Sequence, residues 1–544
     1  MSKSANPFLR VLNNFEEAAR QIVSAGSNPE ELETIDILKN AIARFGQKYI
    51  NDAEIDAASE IPPEAIKAAA EMGLFGISIE EQYDGAGLSM KATCSVIEAL
   101  SRLDRSLGVS IGLHAGLGLR GLNYFGSREL KQTYLPRLAS GELIACFSVT
   151  ESEAGSDIAS VRTTAIEDGD QLVINGSKIY ATNGGFANLA TIIARTPGLG
   201  GSRRGHSMIL VPLDSPGIQR DSEEHKLGIK GSSTCSLHFE DVRVGIDHII
   251  GTPARGLDHL NHVLSWGRTL MAAGCIGLAR TAFERTLEQV TVRRQFNRMI
   301  GEFGMVRQMV ADMRTRIHAM ESVIRLCTQS EDQKPDSIGW ESSVAKIYCS
   351  ESAWQIADDT VQLHGGSGYI EETGVARLLR DCRITRIFEG ANELLRFHMA
   401  AAAFSWKSEQ FGQARPLSKM LDQSLSKLGG RFDSLLRRFA ESLVSLKKKY
   451  GLKVFQRQMD QRRIADAAQG LYLMLALLAR AQGELKSGRL TDEMLVWTEY
   501  SLTRSADLIE HSLGHIDSVQ NELASRIAAG ECERIGSPLK ENIS

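Results

Sequence analysis

Residues 383–394 read "RITRIFEGANEL". The carboxylate of Glu389 stands between a bulky aromatic, Phe388, and a residue with no side chain, Gly390. A carboxylate against an apolar wall loses hydration, which disfavours its charged form and lifts its pKa above the usual value of about 4.3. A general base for a weakly acidic C–H needs that shift. Gly390 leaves room for a substrate to approach. The same acid could instead open a helix, where the dipole favours negative charge.

Other stretches combine polar groups with glycine. "FSVTESEAGSDIAS" (147–160) gathers hydroxyls, acids and a Gly-Ser pair in a turn between strands. Backbone N–H groups in such a turn, with Ser156, can hold phosphate, although many such turns are only turns. "KIYATNGG" (178–185) sets the Tyr180 ring two residues from the Thr182 hydroxyl, on one side of a strand. That suits stacking on a planar cofactor, or an ordinary amphipathic strand. "HGGSGY" (364–369) looks like a dinucleotide loop, but no strand–turn–helix unit surrounds it.

The elements that must position these groups follow from periodicity. Residues 1–143 read as helices, including "PPEAIKAAAEMGLFG", with prolines at its start and Gly73 near its end. Residues 144–250 hold short β-branched or alternating runs separated by Gly, Asn, Asp and Pro, a small β-domain. Helical pattern returns over 251–403. "SWKSEQFGQARPLSK" reads as a linker, and 417–544 as a further helical domain. Helices, then strands, then helices exclude a doubly wound α/β fold.

The 544 residues allow several domains, and a net charge of −5 leaves no basic footprint for nucleic acid. The 8 cysteines show no CxxC pair, so neither a metal nor a disulfide framework is expected, and a reducing compartment fits. The start lacks the apolar core of a secretory signal, and Glu16 and Glu17 count against a transit peptide. A cytoplasmic location is expected, or the mitochondrial matrix in a eukaryote. "LYLMLALLA" (471–479) is apolar all round and reads as a buried helix rather than a membrane span.

In order and spacing, "FSVTESEAGSD", "KIYATNGG", "VRRQF", "QLHGGSGY" and "RIFEGANEL" resemble the flavin-dependent acyl-CoA dehydrogenases, from about residue 40 to 403. The block after 417 is similar to the extra C-terminal domain of the very-long-chain branch. The resemblance implies a mostly α fold: an N-terminal helical domain, a middle β-barrel-like domain, a C-terminal four-helix bundle and the additional helical domain. It implies FAD, with Phe147, Val149, Thr150, Gly155, Ser156, Tyr180 and Thr182 lining it, and Tyr180 standing where many relatives have Trp. Arg293, Phe296, Gln362, Gly365 and Gly366 match cofactor contacts made partly across a homodimer. Ala391, Asn392 and Glu393 follow the base and match further cofactor positions; relatives often carry Thr where Ala391 stands.

The resemblance makes Glu389 the base that removes the α-proton of a thioester, the β-hydrogen leaving as hydride. Ser156, Arg268, Phe388 and Gly390 match substrate positions. Some branches carry the base just before the arginine of "LSWGRTLMAAG"; here that residue is Gly267, with no carboxylate to offer. Trp266 departs from the small or polar residue common there. "LGVSIGLHAGLGLRG" (107–121) aligns with the helix that closes the acyl pocket, and Gly112 and Leu113 present no polar plug. That implies long-chain acyl-CoA; glycines there would also suit tight helix packing. An electron-transferring flavoprotein is the implied acceptor.

Residues 431–463 carry ten Lys or Arg against three acids, with Phe432, Leu435, Leu436, Phe439 and Leu443 at helical spacing. Such a helix can lie on an anionic bilayer or simply be solvated. Two further readings stand beside the dehydrogenase: an assembly or scaffold protein on the same fold, and an acyl-CoA oxidase.

Overall fold

The computed structural model describes residues 6–23, 29–334, 338–407 and 409–516. The chain divides into two compact units, residues 21–392 and residues 1–20 with 393–544.

The first unit opens with helices. Helix Pro63–Glu71 has proline in its first turn, where a missing N–H costs nothing, and Gly73 just beyond its end takes φ 73°. Asp104 caps helix Arg105–Leu113, its Oδ1 accepting from the Leu107 N–H at 2.8 Å. A π-helical turn, His114–Gly118, separates this helix from Leu119–Phe125. Such wide turns concentrate at functional sites.

Strands from Ala145–Ser148 to Ile249–Ile250 form one 8-stranded sheet. At its centre Leu189–Arg195 pairs antiparallel with His206–Pro212, both almost wholly apolar and buried. Strand Gln171–Thr182 pairs with Thr234–Gly245, and its register slips between Lys178 and Ala181. Lys178 faces Leu237 and Ala181 faces Cys235, so the first strand carries one extra residue, a β-bulge. The bulge switches the buried set from even to odd positions. Leu172, Ile174 and Lys178 are buried before it, Ala181 and Asn183 after it. Tyr180 and Thr182 therefore turn away from the core.

Helix Gly256–Val292 packs against Gly304–Gln333, Gly339–His364 and Met90–Leu103. Its residues 270–279 are all buried, which matches a run with no polar face. "HGGSGY" spans the end of helix Gly339–His364 and the short helix Gly366–Tyr369, and among the described residues no strand leads into it.

The second unit contains helices Gln423–Tyr450, Gln458–Lys486 and Asp492–Gly514. It also takes in residues 1–20, which the sequence places with the N-terminal helices. The expected linker is packed rather than loose. Trp406, Phe411 and Leu417 are buried, and the Phe8 ring lies 5.7 Å from Trp406 and 6.4 Å from Phe411. The stripe Phe432, Leu435, Leu436, Phe439 and Leu443 is also buried within the protein. Helix Gln458–Lys486 is long and apolar enough to cross a membrane, but its apolar window is 100% buried within the protein.

Candidate active site

Helix Val375–Arg383 ends in a 3-10 turn, Ile384–Arg386, and the chain then reverses before helix Asn392–Ser405. The reversal places Glu389 at φ 60° and Gly390 at φ 97°. A non-glycine residue in the left-handed region costs about 1–3 kcal/mol and persists only where its surroundings determine it. Here two cations do so. Arg268 Nε donates to the Glu389 carbonyl at 3.0 Å, and Lys346 Nζ donates to the Gly390 carbonyl at 2.9 Å.

Glu389 as a residue is half-buried, yet its Oε2 is shielded from solvent and has no hydrogen-bond partner among the described residues. Gly267 lies opposite: a Cβ built there would come within 2.8 Å of Oε2 and 2.4 Å of Leu117 Cδ2. Burial raises the Glu389 pKa to about 7, against the opposing pull of Arg268 and Lys346. Burial lowers Arg268 to about 10, with Glu389 opposing. Phe388 is half-buried beside the turn.

The turn at 147–160 is held by a buried ion pair that sequence reasoning missed. Glu151 accepts from Lys178 Nζ at 2.7 Å, and Lys178 also donates to the Val149 carbonyl at 3.1 Å and the Ile193 carbonyl at 2.7 Å. The Ile179 N–H donates to the Thr150 carbonyl at 2.9 Å. The pair thus ties the turn to the strand that carries Tyr180. The pairing holds the Glu151 carboxyl below its ordinary range, while burial pulls the Lys178 ammonium down. A Lys buried in the even set before the bulge was the available signal.

Phe147 and Thr150 are half-buried, Val149 is buried, and Gly155 and Ser156 are exposed. Tyr180 is 61% exposed, at φ 59°, with Thr182 half-buried beyond it. An unburied aromatic at Tyr180, the exposed Ser156 and an open backbone at Gly155 leave surface on which a planar ligand with polar groups could rest.

Arg293 and Phe296 stand on a hairpin, Arg294–Gln295 with Arg298–Met299, whose tip leaves Phe296 88% exposed. Gln362, Gly365 and Gly366 are exposed, and a Cβ on either glycine would meet nothing within 4 Å. The structure does not gather these five residues around the Glu389 turn. Ala391 is half-buried, and Glu393 is exposed in the first turn of its helix. Asn392, expected as a cofactor contact, has a fully buried side chain already used by Lys346, Ser350 and Glu351.

Gly112 and Leu113 are half-buried on the helix before the π turn. A Cβ at 112 would meet only Ile97, at 3.6 Å, which is ordinary contact. Close packing therefore does not require glycine there. It does at Gly108, where a Cβ would lie 2.2 Å from Ser101 Oγ. Trp266 is 6% exposed, and the Arg120 guanidinium stacks 3.7 Å over its ring.

Comparison with known proteins agrees with this architecture. Residues 33–142, 146–242 and 254–404 match the N-terminal, middle and C-terminal domains of acyl-CoA dehydrogenase. The chain is 30% identical over 501 residues to the very long-chain specific acyl-CoA dehydrogenase, mitochondrial, of Homo sapiens, covering 85% of this chain and 76% of that one. It is 36% identical to the probable acyl-CoA dehydrogenase FadE25 of Mycobacterium tuberculosis, over 68% of this chain and 94% of that one. The crystal structure of an acyl-CoA dehydrogenase complexed with FAD from Bacillus anthracis superposes with a TM-score of 0.77 at 25% identity, covering 95% of this chain and 90% of that one. The chain belongs to the acyl-CoA dehydrogenase family, a family of FAD-dependent oxidoreductases. Residues 423–530 match the ACAD9/ACADV C-terminal domain, so within the family it is similar to the branch that carries an extra helical domain.

Proposed function

We propose that this protein dehydrogenates long-chain acyl-CoA to trans-2-enoyl-CoA in fatty acid β-oxidation, with Glu389 as the base. The observation that carries this reading is the shielded Glu389 carboxylate, raised to about 7 and facing the gap left by Gly267.

Glu389 takes the α-proton of the thioester onto its carboxylate. A base with a pKa near the working pH combines ionisation with basicity, which an exposed glutamate cannot do. The turn between the carbonyl contacts of Arg268 and Lys346 aims that carboxylate, and holding it in place removes the entropy cost of orienting it. Phe388 and Leu117 keep water from the proton. The Glu389 backbone N–H is the donor that family resemblance assigns to the thioester oxygen. Bound FAD would supply the hydride acceptor for the β-hydrogen. Phe147, Val149, Thr150, Gly155, Ser156, Tyr180 and Thr182 would hold it on this chain. Ser156, Arg268, Phe388 and Gly390 would border the acyl-CoA, and Gly112 with Leu113 the far end of its chain.

The exposure of Arg293, Phe296, Gln362, Gly365 and Gly366 supports a homodimer in which they reach the other subunit's cofactor. An electron-transferring flavoprotein would take up the electrons. Contact of 431–463 with an anionic membrane would fall on Leu452, 86% exposed, and Phe455, with Lys448 and Lys453 nearby, rather than on the buried stripe. The location proposed is cytoplasmic, or the mitochondrial matrix in a eukaryote.

Anaerobic addition of palmitoyl-CoA to the purified protein tests the reading. Flavin absorption should bleach, and trans-2-enoyl-CoA should form. A colourless protein that cannot be loaded with FAD would replace the enzyme by the scaffold. Rapid turnover in air without an electron-transferring flavoprotein would replace the dehydrogenase by the oxidase.

A further inference from the structure

Lys346 lies in helix Gly339–His364 and is completely buried. A buried ammonium is retained only where partners compensate it. Its Nζ donates to the Gly390 carbonyl at 2.9 Å and to Asn392 Oδ1 at 2.7 Å. Both acceptors lack protons, so Nζ must donate whether it is charged or neutral. Asn392 in turn donates Nδ2 to Ser350 Oγ and Glu351 Oε1, each at 3.1 Å. Ser350 and Glu351, adjacent to each other, lie about one turn beyond Lys346 in that helix. Together they grip the chain on both sides of Ala391.

From a different helix, Arg268 holds the preceding carbonyl, that of Glu389. The two consecutive carbonyls belong to the two consecutive residues with positive φ. No feature of the substrate or flavin readings accounts for a lysine at this position.

We propose that Lys346 is a positioning residue for Glu389: by holding the Gly390 carbonyl and Asn392 it maintains the left-handed turn that aims the Glu389 carboxylate. This rests on Glu389 being the base. The charged and titratable groups facing Lys346 are Cys275, Glu389, Arg268 and Glu351, and those facing Glu389 are Arg268 and Lys346. Burial pulls the Lys346 pKa down to about 7, so its ammonium favours the Glu389 carboxylate on the acid side of that pH; removing it loosens the turn and deletes that support, leaving Arg268 alone.

The test compares full-length Lys346→Met and Lys346→Gln with the wild type, each loaded with FAD, using palmitoyl-CoA. In Lys346→Met, kcat per bound flavin should fall about 10- to 100-fold while KM changes little. The acid limb of its kcat/KM profile should move to higher pH. Lys346→Gln, which keeps a donor but no charge, should recover part of kcat with the limb still displaced. If Lys346→Met does not fold, Lys346→Gln carries the comparison. Wild-type kcat per flavin with an unshifted limb in a folded variant would overturn the proposal. Failure of both variants to fold would also overturn it, by assigning Lys346 to the core. Glu389→Gln separates the two claims. Turnover in Glu389→Gln would remove the base itself, whereas an inactive Glu389→Gln beside a wild-type-like Lys346→Met would remove only Lys346.

Discussion

Gly267 and Glu389 face each other so closely that the smallest side chain at 267 would sit 2.8 Å from the Glu389 Oε2. The helix that carries Arg268, which holds the Glu389 backbone, thus also leaves a gap for the Glu389 side chain. Gly267→Ala should displace the carboxylate and lower kcat about 10- to 100-fold with FAD retained. Steady-state rates per bound flavin check this.

Glu389→Gln should retain FAD and lose dehydrogenation, because an amide cannot accept the α-proton. It should also alter stability in a definite direction. Glu389 has a folded pKa raised to about 7 from 4.5, so its ionisation is disfavoured in the folded state. The wild type therefore loses stability relative to the variant as pH rises from about 4.5 through 7, and the difference is complete above 7. Thermal unfolding of both proteins at pH 5 and pH 8 gives the comparison; a difference that is larger at pH 5 would contradict it.

The same raised pKa predicts the rate profile. The base works only when deprotonated, so kcat/KM should rise with pH through about 7 and level off above it. An acid limb near 4.5 would mean that the carboxylate is solvated in the working enzyme.

Chain length should respond to Gly112. Each buried methylene contributes roughly 0.8 kcal/mol, so an unplugged pocket should raise kcat/KM from about C8 to about C16. Gly112→Leu has room for its Cβ against Ile97, and should shift the optimum to shorter chains with little effect on the shortest. Rates across C4 to C20 acyl-CoAs decide; a wild-type maximum at C4 or C6 would show the pocket closing earlier.

The buried Glu151–Lys178 pair should be a structural requirement of the turn at 147–160, which is proposed to line the flavin. Lys178→Met leaves the Glu151 carboxylate without its 2.7 Å partner, and breaking one side of a buried pair costs roughly 3–5 kcal/mol. Denaturant unfolding should show that loss, accompanied by weaker FAD retention.

The order of helices, strands and helices was legible in the sequence because apolar periodicity and turn residues are local signals. The turns around Glu389 and Tyr180 were legible as motifs, since glycine and aromatic residues beside an acid or hydroxyl stand out against plain amphipathic elements. Burial of "LYLMLALLA" followed from its lack of any polar face. The packing of residues 1–20 with the C-terminal helices was not legible. Phe8, Trp406 and Phe411 each look like ordinary apolar residues, and only their meeting in space turns a presumed linker into core. Nor was the use of Lys346, Asn392 and Gly267. Their roles arise between helices distant in sequence, where a hydrogen bond or a missing Cβ depends on how close two backbones come. Residue type made Glu389 a candidate base; the desolvation that raises its pKa and the two cations that hold its backbone exist only once three distant segments pack together.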